Sequence, residues 1–202
     1  MILFTYPTKV VGEEVIINQL FELGLTTLHL RKPEASHEEM VNFVHSIDKK
    51  YWGKIMIHSN LGLINYFPLK GIHFSEINKP LFERYRFAEQ SKSWASHHLE
   101  ELANIPTSVD YTFLSPIFPS TSKIGYAKEW DFELVASTLK KRKRRKTKVV
   151  ALGGITVDNA QKCRELGFDD FAVLGAIWEP FIQNNNVEEI KDIFLKMNEI
   201  WQ

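Results

Sequence analysis

Two short strand-like runs in this chain stop at glycine. "KVVALGGIT" (148–156) breaks at Gly153 and Gly154, and "FAVLGA" (171–176) breaks at Gly175. Glycine at such a place supplies a positive φ for a tight turn, or leaves backbone N–H groups bare for the close approach of an anion. Two stops on consecutive strands share one reason if both loops face a phosphate, whose charge suits exposed amides and a helix N-terminus. A third stretch, His29-Leu30-Arg31-Lys32, ends another run. Period-two alternation puts His29 and Arg31 on one face, and the paired donors of a guanidinium suit a diphosphate. A fourth, "SPIFPSTSK" (115–123), carries the hydroxyls of Ser120, Thr121 and Ser122 and the ammonium of Lys123 behind two restricting prolines. Each alone also reads as an ordinary turn or rigid surface loop. Together they describe a site for a phosphorylated small molecule.

A second chemistry competes with the first. Four strand candidates end at or beside histidine: His29, His58, His73 and the pair His97-His98. Imidazoles converging at one place could bind Zn2+ or a similar metal, which would make the chain a histidine-based, metal-dependent enzyme. No HxH or HExxH spacing and no aspartate at ligand spacing accompanies them, so interior histidines bonded to neighbours are the plainer reading.

The elements that would position these residues alternate regularly. β-Branched and aromatic runs occur at 2–5, 26–30, 54–58, 71–75, 91–96, 110–115, 148–152 and 170–175. Stretches with helical spacing lie between them, among them 131–139, 157–167 and 187–197. Thr156 and Asp158 are candidate caps for a helix ending at Gly167. Eight strands alternating with helices imply parallel pairing and predict a closed (β/α)8 TIM barrel, a single compact α/β domain over residues 1–202. An open doubly wound sheet is the alternative, with the fifth strand and the helix near 79–87 the weakest elements. In a barrel the mouth would be lined by 29–33, 58–60, 73–78, 95–98, 115–123, 153–156 and 175–177.

Composition narrows the partners. The 202 residues carry 25 Lys+Arg and 25 Asp+Glu, so no global field favours nucleic acid or a membrane surface. The basic run Lys140 to Lys146 has no aromatic residues to stack bases and sits where it complements a helix C-terminus. No apolar run is long enough to span a membrane, the N-terminus lacks a signal-peptide pattern, and the single Cys163 reads as a packing residue. Cytoplasmic location is expected.

"LHLR", "DYTFLSPIFPSTSK", "VVALGGITVDNA" and "GFDDFAVLGAI", in this order along the chain, resemble the thiamine phosphate synthase family and its thiazole tautomerase branch. The resemblance implies a (β/α)8 barrel that joins hydroxymethylpyrimidine diphosphate to hydroxyethylthiazole phosphate, releases pyrophosphate and uses Mg2+. It also implies that Arg31 holds the pyrimidine diphosphate and that Ser120, Ser122 and Lys123 contact phosphate groups, Lys123 neutralising the departing pyrophosphate. Gly153, Gly154 and Gly175 would cradle the thiazole phosphate.

The chain departs from the pattern where the metal belongs. His29 replaces a glutamine that precedes the arginine, and Pro33 stands where a lysine is expected, leaving Lys32 as the substitute. His58-Ser59 stands for an Asn-Asp pair, and Asn78 for a second metal-site aspartate, with Glu76 the nearby carboxylate. The serine expected on strand five could be Ala95 or Ser96. Pro116 takes the place of the tautomerase histidine, which favours the synthase branch. The expectation is a synthase-like transferase with a degraded Mg2+ site, the ion held mainly by the substrate diphosphate. Restoring aspartate at Ser59 and Asn78 should then raise the rate. The alternatives are a weak or inactive relative that binds thiamine precursors in a regulatory role, or the histidine-based metal enzyme. A homo-oligomer is compatible with all three.

Overall fold

A computed structural model describes residues 1–119, 129–142 and 146–201. In chain order the elements are β1 (Ile2–Phe4), α1 (Glu13–Glu22), β2 (Thr27–Leu30), α2 (His37–Ser46), β3 (Ile55–Ile57), β4 (Gly71–Phe74), α3 (Phe82–Tyr85), β5 (Ser91–Ser96), β6 (Tyr111–Leu114), α4 (Phe132–Arg142), β7 (Lys148–Leu152), α5 (Ala160–Leu166), β8 (Asp170–Val173), α6 (Gly175–Asn184) and α7 (Val187–Trp201). Every strand pairs in parallel with its sequence neighbour, and β1 also pairs with β8, closing the barrel. The open-sheet alternative is therefore set aside, and the fifth strand stands as expected. After β3, β4 and β5 the crossover helices shrink to 3-10 turns at Leu61–Asn65, Lys79–Leu81 and Glu100–Asn104, plus the one-turn α3, while a further 3-10 turn at Lys49–Lys54 follows the full-length α2. Short crossovers are how eight strands fit in so few residues.

Two apolar cores follow from strand alternation. The larger one lies between sheet and helices. The smaller one fills the barrel with Ile2, Phe4, Met56, Tyr111, Phe113, Val150 and Ala172. Toward the C-terminal strand ends, the inward positions turn polar at His29, His73 and Ser93, all buried. At the other end the Met1 ammonium pairs with Asp170 at 3.2 Å, and Lys70 reaches the Thr27 hydroxyl.

Helix ends are set by local chemistry. Ser36 and Glu39 form a reciprocal capping box on α2. Gly167 ends α5 at φ 91°, as expected, but Asn159 replaces Thr156 and Asp158 at its start: its Oδ1 accepts from the Thr156 N–H at 2.9 Å. Cys163 is fully buried, and burial pushes its thiol up to about 12. The described part of the basic run ends α4 and precedes β7, at the end of the barrel away from the C-terminal strand ends; Lys143, Arg144 and Arg145 lie outside the described residues.

Candidate active site

The C-terminal ends of the eight strands form one mouth, the usual place for a barrel's active site. Arg31 follows β2. Its peptide is fixed by Thr5 on the neighbouring strand end, whose hydroxyl accepts from the Arg31 N–H (2.9 Å) and donates to the Arg31 carbonyl (3.1 Å). The guanidinium has no hydrogen-bond or ion-pair partner among the described residues, and its charge acts on both His58 and His73.

Lys32 points the other way, as alternation requires. Its ammonium pairs with Glu13 of α1 and donates to the Thr8 carbonyl at 2.7 Å, with the side chain 9% exposed. Glu13, 1% exposed, also accepts from the Tyr6 N–H at 2.8 Å. Its carboxyl is raised above the usual range, chiefly by burial, while Lys32 pulls it down. The expected substrate role of Lys32 gives way to a buried structural pair.

Beneath the mouth three imidazoles meet. His29 Nδ1 lies 2.8 Å from His58 Nε2, and His29 Nε2 lies 2.6 Å from the Tyr111 hydroxyl. His73 Nδ1 lies 2.9 Å from Ser93 Oγ, and the His58 and His73 rings are 4.2 Å apart. His29 is 0% exposed with both nitrogens engaged by protein groups, so contact with a pyrimidine ring would require one of these bonds to open. Burial is the first cause holding all three neutral: His73 is pushed down to about 3, and His29 and His58 lie well below the ordinary value. Neighbouring positive charge adds to this, from Lys79 and Arg31 on His73 and from Arg31 on His58. His97 stands apart, with Nδ1 3.1 Å from the Ser115 carbonyl. Alternation could have found Tyr111 and Ser93, since both face inward beside the histidine strands; only the register fixes their contacts.

The donor set does not suit a protein-held Mg2+, which prefers carboxylate oxygens. Asn78 is buried, and its amide donates to the His58 carbonyl (3.0 Å) and the His73 carbonyl (2.9 Å), stapling β3 to β4. A carboxylate cannot donate there. Glu76 is exposed and paired with Lys79. Ser59 Oγ is buried without a partner. Asn78→Asp should therefore lower stability by about 2–4 kcal/mol, the cost of leaving two buried carbonyls unpaired against a carboxylate. Thermal or urea unfolding of the single variant measures this, and the expected gain in rate from restoring that aspartate is withdrawn. On β5 the inward residue is Ala95; Ser96 faces outward and bonds Thr112 at 2.9 Å.

The paired glycines have a steric reason of their own. Gly153 has φ 97° and Gly154 φ 64°. A Cβ on Gly153 would sit 2.8 Å from Pro116 Cβ, and one on Gly154 would sit 2.3 Å from the Pro119 carbonyl oxygen. The loop after β6 extends the ladder here, the Ile117 N–H donating to the Leu152 carbonyl (3.0 Å) and the Phe118 N–H to the Gly153 carbonyl (3.1 Å). A bulky residue at Gly154 would thus disturb the fold as well as any anion. Gly175 is the first residue of α6, whose backbone bonds begin with Ile177 and Trp178 to Leu174. Its amide therefore lies in the helix's first turn, the part whose N–H groups lack intrahelical acceptors. Ser120, Ser122 and Lys123 lie outside the described residues.

The comparisons agree with this frame. A family model described as thiamine monophosphate synthase matches residues 9–177. A thiamine-phosphate synthase of Chlamydia caviae is 24% identical over 95% of this chain and 94% of its own, and one of Clostridioides difficile is 28% identical over 76% and 74%. The crystal structure of a thiamine phosphate pyrophosphorylase from Bacteroides thetaiotaomicron superposes with TM-score 0.82 at 32% identity, covering 99% of this chain and 96% of that one. With a closed eight-stranded barrel, an arginine at the end of β2 and glycine stops after β7 and β8, this chain belongs to the thiamine monophosphate synthase family.

Proposed function

We propose that the chain is a transferase of thiamine biosynthesis that joins hydroxymethylpyrimidine diphosphate to hydroxyethylthiazole phosphate. The observation that carries this reading is the Arg31 guanidinium, free of partners among the described residues at the mouth that also holds the first turn of α6. Arg31 binds the diphosphate as a paired donor. The amides of Gly153, Gly154 and Gly175 receive the thiazole phosphate, aided by the α6 dipole. Ser120 and Ser122 add phosphate contacts. The bond between the pyrimidine methylene and its diphosphate oxygen breaks, the electron pair leaving with pyrophosphate, whose charge Arg31 and Lys123 neutralise. The thiazole ring nitrogen then supplies the pair for the new carbon–nitrogen bond. Orientation and charge placement carry such a step without covalent attack by the protein. The neutral imidazoles below add no positive charge against the pyrimidine cation. Mg2+ carried in by the diphosphate would be held mainly by substrate oxygens and would help neutralise the departing charge, with no protein group here assigned to it. Location in the cytoplasm belongs to the same reading; among the described residues no helix is long and apolar enough to cross a membrane.

The replacement of the expected carboxylates by Ser59 and Asn78 at the mouth, among the described residues, favours a second reading, a relative that binds thiamine precursors without turnover. Formation of thiamine phosphate from the two precursors separates the two. Arg31→Ala should lower kcat/KM by about 100-fold or more, the scale of one lost transition-state donor, with thiazole phosphate affinity unchanged in calorimetry. Absence of product at saturating precursors would leave the binding reading in its place.

A further inference from the structure

We propose that His29, His58 and His73 form a binding site for a borderline transition metal of the Zn2+ class, distinct from any Mg2+ carried by a diphosphate. One ring nitrogen from each comes together, all within 4.8 Å of one another. Three ligands around tetrahedral Zn2+ at its usual bond lengths sit roughly 3.3 Å apart. The 2.8 Å between His29 Nδ1 and His58 Nε2 lies below that spacing and the outer limit of the cluster lies above it, so small ring rotations reach it.

The surroundings are those of a ligand set. The residues stand on, or one residue past, the adjacent strands β2, β3 and β4, where the backbone is rigid. The Tyr111 hydroxyl occupies His29 Nε2 and the Ser93 hydroxyl occupies His73 Nδ1, which leaves His29 Nδ1 and His73 Nε2 for an ion. Such outer partners fix the tautomer of a ligating histidine. Without metal, one proton must lie between His29 Nδ1 and His58 Nε2. Binding shifts that proton to an outer nitrogen, so neutral imidazoles take the ion with no net change of charge on the ligands. Burial keeps the rings unprotonated, the form a metal requires. His58 is only partly buried, so the fourth position opens toward the mouth, as in three-histidine sites that bind water or an anion. Nitrogen donors without a carboxylate suit this metal class and not Mg2+ or Ca2+.

The test needs no substrate, so its failure and the failure of the transferase reading are separate results. The full chain, prepared without a polyhistidine tag and stripped with EDTA, is titrated with CoCl2 and then ZnCl2. One equivalent of Co2+ should bind with the visible absorption of a four-coordinate ion, and Zn2+ should displace it. His58→Asn and His73→Asn should each weaken binding by more than about 100-fold, and Ser93→Ala by about 10-fold, the lower end of losing an outer partner. His98→Asn should leave it unchanged. Circular dichroism confirms that each variant is folded, and the partly exposed His58→Asn decides the matter if His73→Asn does not fold. Absence of stoichiometric Co2+ binding, or binding indifferent to His58→Asn, overturns the site and leaves the three histidines as a hydrogen-bonded interior.

Discussion

Acidification from pH 7 to 5, in EDTA, is expected to cost this protein about 4–6 kcal/mol of folding stability. The unfolded chain titrates its histidines near 6.5. In the fold, burial holds His29 and His58 well below that value and His73 at about 3. Between these limits the unfolded state binds more protons than the native one, so stability rises with pH and is lost as pH falls below 6.5. Two to three such groups give a slope of about 3–4 kcal/mol per pH unit once unfolded histidine is fully charged. Integrated from pH 7 to 5 the loss is about 4–6 kcal/mol, a large share of a total stability of about 5–15 kcal/mol, and it occurs while exposed carboxylates are still mostly ionised. Urea denaturation at a series of pH values measures it, and His58→Asn should reduce the slope by up to one proton. A stability curve flat from pH 7 to 5 would mean that the imidazoles are not held neutral.

Lys32→Met should cost about 3–5 kcal/mol, the penalty of leaving one member of a buried ion pair alone. The residue left behind is Glu13, 1% exposed, whose carboxyl burial already pushes up. Without the ammonium it is raised further. A group whose folded value exceeds its unfolded value stabilises at low pH and loses that contribution as pH rises through the folded value. The deficit of the variant should therefore be larger at pH 8 than at pH 5. Adding Glu13→Leu should recover most of the loss, since buried pairs can often be exchanged for apolar groups of similar volume. A Lys32→Met protein with parental stability and reduced turnover would instead return Lys32 to the substrate site.

Lys32 also marks where the sequence could have been read further. The alternation that put His29 and Arg31 on one face puts Lys32 on the other, and the same parity turns Ser96 outward and Ala95 inward. The barrel was legible because each strand is a short apolar run with its own punctuation, even where the intervening helix shrinks to a 3-10 turn, as after β3 and β5. The meeting of the strand-end histidines was legible only as a coincidence of positions. Ring contacts depend on the stagger between β2, β3 and β4, which no local pattern encodes. Asn78 was hidden for a related reason. Its type shows the lost carboxylate, whereas its two hydrogen bonds to separate strand ends exist only in three dimensions.

The contact between Gly153-Gly154 and Pro116-Phe118-Pro119 has a consequence for the history of the chain. Two motifs some forty residues apart behave as a single inherited character. A side chain gained at either glycine has no room until the loop root withdraws, and a withdrawn root gives up the ladder bonds to Leu152 and Gly153. Diversification of this mouth is thus steered toward positions that answer to no partner across the barrel, and a loop transplanted from a relative should fold best when its own glycine turn travels with it.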